Sequence, residues 1–530
     1  MPAWCAPNCA VDDSPFNIDT SNPFYREKVV DYYRRVGQLA AAAPNVMGIN
    51  ANYGQQGRIG EMRVVFSDAM LAMLAEYLER TTTVEQFNRK SGLDLKSFRQ
   101  ITPQQINGNA VLFAAYSRAN EEIGSQLIED IAAAIRSTGC NAHLTFNVNF
   151  HPIENKLSGQ TFAQYLRIGV KYPPASLFHE TSERYNISFL KWLCAKRTFG
   201  LPYGDEVGQP PPTYEHAVLG YMWMGMFQCF ESNYCQWWGG KPGTQNLAQL
   251  KGFHKLLYEA QYLPDPVSLA LSLETGHDEV AETNRYPLHT RAFDHYGMVN
   301  ALRELNINSD RAMIDDFPEK DTEISGRLLI DDHTRHMPAG FADRIEKFVN
   351  DGGVYLASAH DTDRAFLARF GLGIGGGEGG IAEVDGADEY SGRHFPVAEK
   401  PVGRGRVVVM RRAWAHGWDP GRPEDERAEL LALLKRLGGF EPLVQCSFPT
   451  VYVTPYRAAN GDLLISCINV NAEDKTVAVS FARSLAGGGK IQVRDLNTGA
   501  YLPVTAQGGN GVVVVTVPAI NTTVLRVTAQ

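Results

Sequence analysis

No stretch of this chain approaches the roughly 20 consecutive apolar residues that a helix needs to cross a bilayer, so no membrane partner is expected. The opening MPAWCAPNCAVDD lacks a basic segment followed by an apolar one and does not read as a signal peptide. No lysine- or arginine-rich run occurs. The formal net charge is −9 and the pI about 5.9. A nucleic-acid binder needs a basic face against phosphates, so that class is set aside. Cysteines are few and scattered, at 5, 9, 140, 194, 229, 235, 446 and 467, with no CxxC pair. They read as free or buried thiols in a reducing compartment, which points to a cytoplasmic location. Cys5 and Cys9 form at most half a metal site, so no metal and no other cofactor is expected. A GxSxG elbow and a Walker A motif are both missing, which weakens amidase-like and nucleotide-binding readings.

What is present exceeds a single core. The 530 residues are 44% hydrophobic, 21% charged and 10% aromatic, an ordinary soluble composition whose length implies two to four domains. Five short apolar runs punctuate the first half: VMGIN (46–50), HLTFNVN (143–149), ASLFHE (175–180), GLPYGDEV (200–207) and FQCFES (227–232). Amphipathic helices lie between them, over 67–80, 120–139, 184–197 and 214–225. Alternation of this kind predicts parallel strands with helices outside. Polar and aromatic residues at the strand ends fit a (β/α)8 TIM barrel, whose active site lies at the C-terminal strand ends. Five units are visible, and a barrel needs eight.

From about residue 262 the texture changes. PVSLALSL, RAMIDDF, RLLIDD and VYLASA read as strands, with helices in PLHTRAFDHYGMVNALREL and AGFADRIEKFVNDGG. They predict a smaller, open, flavodoxin-like α/β domain that closes near 440 with GRGRVVVM and ERAELLALLKRLGG. The glycine-rich piece GLGIGGGEGGIAEVDGADEY (371–390) has no GKS or GKT and is expected to be a flexible surface loop. After 440 the runs TVYVTPYR, DLLISCINV, TVAVSFA, KIQVRDL, GVVVVTVP and TTVLRV are separated by Gly, Asn and Asp turns, and predict a small antiparallel β-sandwich. The expected domains are therefore 1–261, 262–440 and 441–530.

Three features together resemble glycoside hydrolase family 42, the β-galactosidase-like enzymes among the retaining barrel glycosidases. One is the domain order. Another is NPFYREKVVDYYRRVGQLAAAAPNVMGINANYG followed by FNRKSGLDLKSF, similar to the family's helix into the fourth barrel strand and the insertion after it. The third is MPAWCAP, which looks like the end of the third strand. The resemblance implies an oligosaccharide or glycoside substrate and a homo-trimer formed through the middle domain. It also makes VMGIN strand four, so that strands one to three are not in this sequence. A half barrel would expose strand edges and core. An upstream extension of roughly a hundred residues is accordingly expected.

The resembled clan carries its acid/base on strand four and its nucleophile on strand seven. The loop NYGQQGRIGEMR after VMGIN supplies Glu61, and the fourth visible strand ends in Asp205-Glu206. Glu61 is the expected acid/base and Glu206 the nucleophile, with Asp205 as the alternative. Cleaving an acetal needs a proton for the leaving oxygen and a negative group at the oxocarbenium-like carbon, and two carboxyls about 5–5.5 Å apart supply both with retention. The clan writes asparagine before the acid, where this chain has Gly60. Aligning NANYG with the family's NEYG puts Asn52 in the acid's place, whereas GEMRVVF resembles the GELRYPS of family 14 β-amylases and favours Glu61. Further strand-end groups are substrate-contact candidates: Asn147 with Asn149, His179 with Glu180, and Glu231 with Asn233. Tyr53, Trp237 and Trp238 could stack on a sugar face. Trp414, His416 and Trp418 could reach a neighbouring subunit's site. The alternative to an active enzyme is a barrel homologue that binds carbohydrate or serves assembly.

Overall fold

The computed structural model describes residues 19–51, 66–147, 162–180, 193–207, 235–237, 256, 259–271, 294–314, 324, 326–331, 334–376, 381–390, 392–412, 422–469, 471, 473–487, 489–519 and 521–529. They fall into two compact units. The first holds the described residues up to Glu180 and Phe199–Tyr203; the second holds those of 193–198 and those from Gly204 onward.

In the first unit, helix α1 (Pro23–Ala42) starts where proline occupies the first turn and the Asn22 side chain accepts the amides of Phe24 and Tyr25. Strand β1 (Gly48–Asn50) follows. Helix α2 (Asp68–Thr81) is capped by Ser67, whose hydroxyl accepts the Met70 amide at 3.0 Å. Helices α3 (Val84–Ser91) and α4 (Pro103–Gly108) each begin with a capping box, Thr83 with Gln86 and Thr102 with Gln105. They pack on the long helix α5 (Ala110–Arg136) through Leu74, Leu78, Phe87, Phe98, Ile106, Leu112, Tyr116 and Ile123. The expected helix over 120–139 thus starts ten residues earlier, because AVLFAAYSRA holds no breaker and most of it is buried. Strand β2 (His143–Asn147), helix α6 (Phe162–Lys171) and strand β3 (Ala175–Glu180) complete this unit's described elements. The three strands are parallel, β1 to β2 and β2 to β3.

The second unit opens with the expected helix around 184–197, of which the described part, Leu193–Thr198, is a π-helix. Strand β4 (Tyr203–Val207) pairs in parallel with β5 (Cys235–Trp237). The expected strand at 227–232 lies outside the described residues, and the partner of β4 is found downstream of it. A two-residue strand β6 (Gln261–Tyr262) comes next. Then follow β7 (Val267–Leu271), α7 (Asp294–Glu304), β8 (Arg311–Ile314), β9 (Leu328–Ile330), α8 (Ala339–Asn350), β10 (Val354–Ser358) and α9 (Arg364–Arg369). The glycine-rich piece is corrected here. It forms a hairpin of β11 (Gly373–Gly375) and β12 (Glu383–Asp385), then the edge strand β13 (Asp388–Tyr390). Gly386 makes the turn possible, with φ of 80° and only 2.4 Å between its missing Cβ and the Gly371 carbonyl oxygen. Strands β14 (Val397–Val402) and β15 (Gly405–Met410) and helix α10 (Glu424–Gly438) close the layer. The sheet order is β13-β14-β15-β10-β9-β7-β8. Its parallel part, read from its first strand β7, runs 2-1-3-4-5, the order of flavodoxin-type doubly wound sheets.

The remaining strands are β16 (Val444–Cys446), β17 (Val451–Arg457), β18 (Leu463–Asn469), β19 (Lys475–Ala482), β20 (Ile491–Asp495), β21 (Tyr501–Leu502), β22 (Thr505–Gln507), β23 (Asn510–Val517) and β24 (Asn521–Ala529). They form two antiparallel sheets, β16-β19-β23-β22 and β21-β20-β24-β18-β17-β6, around a core of Val477, Val479, Phe481, Val513, Val515, Leu525 and Val527. The early strand β6 belongs to the second of these sheets, with Tyr262 opposite Tyr456. Beside it the buried Asp265 carboxylate accepts the amides of Asn308 (2.7 Å) and Leu443 (2.9 Å), and burial pushes its pKa up to about 6. Among the described residues no helix is long and apolar enough to cross a membrane.

Candidate active site

Strand ends place the candidate residues, and strand phase sorts them. Register sets Ile49 opposite Leu144, Leu144 opposite Ala175 and Phe146 opposite Leu177. These residues share one face, because residues on a strand alternate sides and paired residues in a ladder share one. All are buried, and the Phe146 ring lies 6.1 Å from that of Tyr165 on α6. A Cβ on Gly169 of α6 would sit 3.9 Å from the Ala175 Cβ. Helix α6 therefore covers this phase. The opposite phase carries Asn50, Thr145, Asn147, Ser176, Phe178 and Glu180, a row of polar residues broken by one aromatic. Asn50 is exposed, Thr145 half-buried and Ser176 buried. The ladder of β1 extends one step further, with the Ala51 amide donating to the Thr145 carbonyl at 2.9 Å.

Strand β4 can be phased in the same way. The Leu144 amide donates to the Pro174 carbonyl where Leu144 pairs with Ala175. The Leu177 amide donates to the Pro202 carbonyl, and by the same parallel pattern Tyr203 lies opposite Leu177. Counting along β4, Asp205 and Val207 are in phase with Tyr203, and Glu206 is out of phase with it. In the second unit Asp205 pairs with Cys235, Glu206 with Gln236 and Val207 with Trp237.

The described candidates Asn147, His179, Glu180, Glu206 and Trp237 all stand at the C-terminal ends of parallel strands. Phase divides them. Asn147 and Glu180 share the polar phase of β2 and β3, whereas His179 takes the phase of Leu177 that α6 covers. Trp237 takes the row of Val207, and Gln236, which sequence reasoning passed over, takes the row of Glu206. Counting twos from the buried Phe146 and Leu177 was the available signal. Glu61, Asn52, Tyr53, Asn149, Glu231, Asn233, Trp238, Trp414, His416 and Trp418 lie outside the described residues, as do Cys5 and Cys9.

Burial, with the Arg136 guanidinium adding to it, lowers the pKa of His143 and favours its neutral ring. Among the described residues no three His, Cys, Asp or Glu side chains are grouped to hold a metal ion.

Comparison with known proteins bears on the fold. No protein-family model matches the chain, and no curated protein matches it by sequence. Solved structures do match. A β-galactosidase from Bacillus circulans sp. alkalophilus aligns over 96% of this chain and 83% of its own, at 15% identity and a TM-score of 0.67. Gan42B, a GH42 β-galactosidase from G. stearothermophilus, aligns over 99% and 85%, at 14% identity and 0.69. The chain has the GH42 β-galactosidase fold. α-L-Fucosidase isoenzyme 2 from Paenibacillus thiaminolyticus also aligns, over 100% and 85%, at 13% identity and 0.60. The GH42-like fold is thus a mixed α/β architecture shared by enzymes whose names specify different sugars.

Proposed function

We propose that this chain is a retaining glycoside hydrolase that removes a terminal β-linked sugar, with Glu206 as nucleophile and Glu61 as acid/base. The observation that carries the reading is the position of Glu206. It lies one residue before the end of a parallel strand, within a fold whose solved examples include β-galactosidases. Asp205, its neighbour on the strand, is the alternative nucleophile. In the proposed reaction Glu61 protonates the leaving oxygen while Glu206 attacks the anomeric carbon. Water, deprotonated by Glu61, then releases the sugar with retention. Asn147 and Glu180, at the ends of β2 and β3, are proposed to bond sugar hydroxyls. A galactoside is the first substrate to try, and the fucosidase neighbour argues for testing others.

The proposal includes a barrel over 1–261, an α/β assembly domain over 262–440 that forms a homo-trimer, and a β-sandwich over 441–530. The decisive experiment is a panel of aryl β-glycosides with wild type and Glu206→Gln, the first-formed anomer being read by NMR. Turnover with retention that vanishes in Glu206→Gln supports the reading. Undiminished turnover in the variant removes Glu206 from its role. No turnover of any glycoside favours a carbohydrate-binding homologue without activity.

A further inference from the structure

We infer that the outer face of the four-stranded sheet β16-β19-β23-β22 is a self-association surface, on which a second copy of this chain packs face to face. The glycosidase reading plays no part in it. Strands β19 and β23 carry the inference. Their inward phase, with Val477, Val479, Val513 and Val515, fills the sandwich core. Register sets the outward phase: Thr476 stands opposite Thr516, Ala478 opposite Val514 and Ala482 opposite Asn510. No outward position of either strand holds a charged residue, in a chain that is 21% charged. Lys475, which opens β19, falls in the inward phase opposite Val517. The flanking strands extend the outward rows with Gln445, Thr505 and Gln507, again without charge. A solvated surface is ordinarily about 25–35% charged. Here the charges begin at the rim, with Glu473 and Asp474 before β19 and Arg483 after it. A centre without charge inside a charged rim is the anatomy of a protein–protein interface.

The six-stranded sheet of the same sandwich turns a similar set outward, and there it is covered. Thr454, Ser466, Ile468 and Val524 lie opposite to the core phase and are all buried, the Arg303 guanidinium of α7 reaching the Thr454 hydroxyl at 3.4 Å. On the four-stranded sheet the matching face is open, with Val514 59% exposed. The Thr476 and Thr516 hydroxyls bond each other at 2.9 Å, so this row takes its own polar partners into a dry interface. Charge selects the occupant. The chain has a net charge of −9, so two copies repel wherever acidic surfaces meet. A face without charge removes that repulsion, and a two-fold axis makes it its own complement. Two strands of eight residues and two of three present the face. At about 3.3 Å per residue and about 4.8 Å between strands they span about 350 Å² in plan, which places a pair of such faces among weak, reversible interfaces.

The test is sedimentation equilibrium of the full chain from micromolar concentration upward, on wild type, Val514→Glu and Val514→Lys. Val514 stands in a central row and is exposed, so both variants should melt with wild type. Should either fold poorly, Ala478→Glu and Ala478→Lys, from the same row, take their place. Wild type should double its mass as concentration rises, whether the doubling unit is one chain or the trimer proposed for the α/β domain. Each variant should weaken that doubling by about 100-fold or more, because like charges then face each other across the axis. An equimolar mixture of the two variants should associate again, glutamate against lysine. A wild-type mass that stays constant over the whole range overturns the inference. So does a doubling that survives in both variants, which would place the contact on another surface. A doubling lost in both variants and not regained in the mixture overturns the face-to-face arrangement.

Discussion

Strands β1 to β3 and strands β7, β9 and β10 are parallel sets that treat their two faces differently. In the second set both phases are mostly apolar and buried, with Ser268 and Ser358 the polar exceptions. Leu329, Tyr355 and Ala357 join the core with Phe341 and Ile345 of α8, while a Cβ on Gly438 of α10 would lie 3.5 Å from the Leu328 Cβ. In the first set one phase is apolar under α6, and the other holds Asn50, Thr145, Asn147, Ser176 and Glu180, with Phe178 the one apolar member. Helices on both faces of a parallel sheet force apolar residues into both phases. A phase that stays polar has another use, and the first set is where sugar chemistry is proposed.

The largest expected effect sets the phases of β4 against each other. Glu206→Gln should cost at least about 10⁴-fold in kcat/KM, as removal of a covalent nucleophile does. Asp205→Asn, one residue away in the opposite phase, should cost less than about tenfold. Equal losses, measured on the best aryl glycoside, would break the phase argument.

The next prediction contrasts the two sheets. Leu356→Ala empties a fully buried site in β10 and should cost about 2–5 kcal/mol in urea unfolding. Thr145→Val, in the polar phase of β2, should cost less than about 1 kcal/mol. A reversal of that order would mean that the polar phase is a structural core.

A third concerns the buried joint at Asp265. Its carboxyl is harder to ionise in the folded chain, with a pKa of about 6 against an ordinary 3.8. Between those values the folded state binds the extra proton, so stability falls as pH rises, by about 3 kcal/mol across the window. Asp265→Asn should flatten that slope relative to wild type. Urea midpoints at pH 4, 5, 6 and 7 for the two proteins would show it, and parallel curves would refute it. The smallest effect is expected at Ser176. Ser176→Ala should leave the unfolding midpoint nearly unchanged and lower kcat/KM by no more than about tenfold, the worth of one neutral hydrogen bond. A large stability loss would move Ser176 from the site to the scaffold.

The strands found from the sequence are those with enough apolar residues to show a period. ASLFHE matches β3 residue for residue, and HLTFNVN contains β2. Strand β5 escaped because three residues with glutamine at the centre have no period to detect. The hairpin at Gly373–Asp385 escaped because glycine is read as a loop former, although its two strands pair, Gly373 with Asp385 and Gly375 with Glu383. The candidate site was legible as a set of strand ends. Its rows, such as Glu206 with Gln236 and Val207 with Trp237, were not.

By itself the sequence determined where chain segments become helices and strands, through caps such as Ser67 and Thr83 and through alternating runs such as Leu144-Thr145-Phe146. These are local interactions, settled within a few residues. Tertiary structure alone decided which residues share a row. Glu206 meets Gln236 across 30 residues, and Tyr262 meets Tyr456 across far more, because parallel ladders and long returns join segments whose separation leaves no mark on local composition.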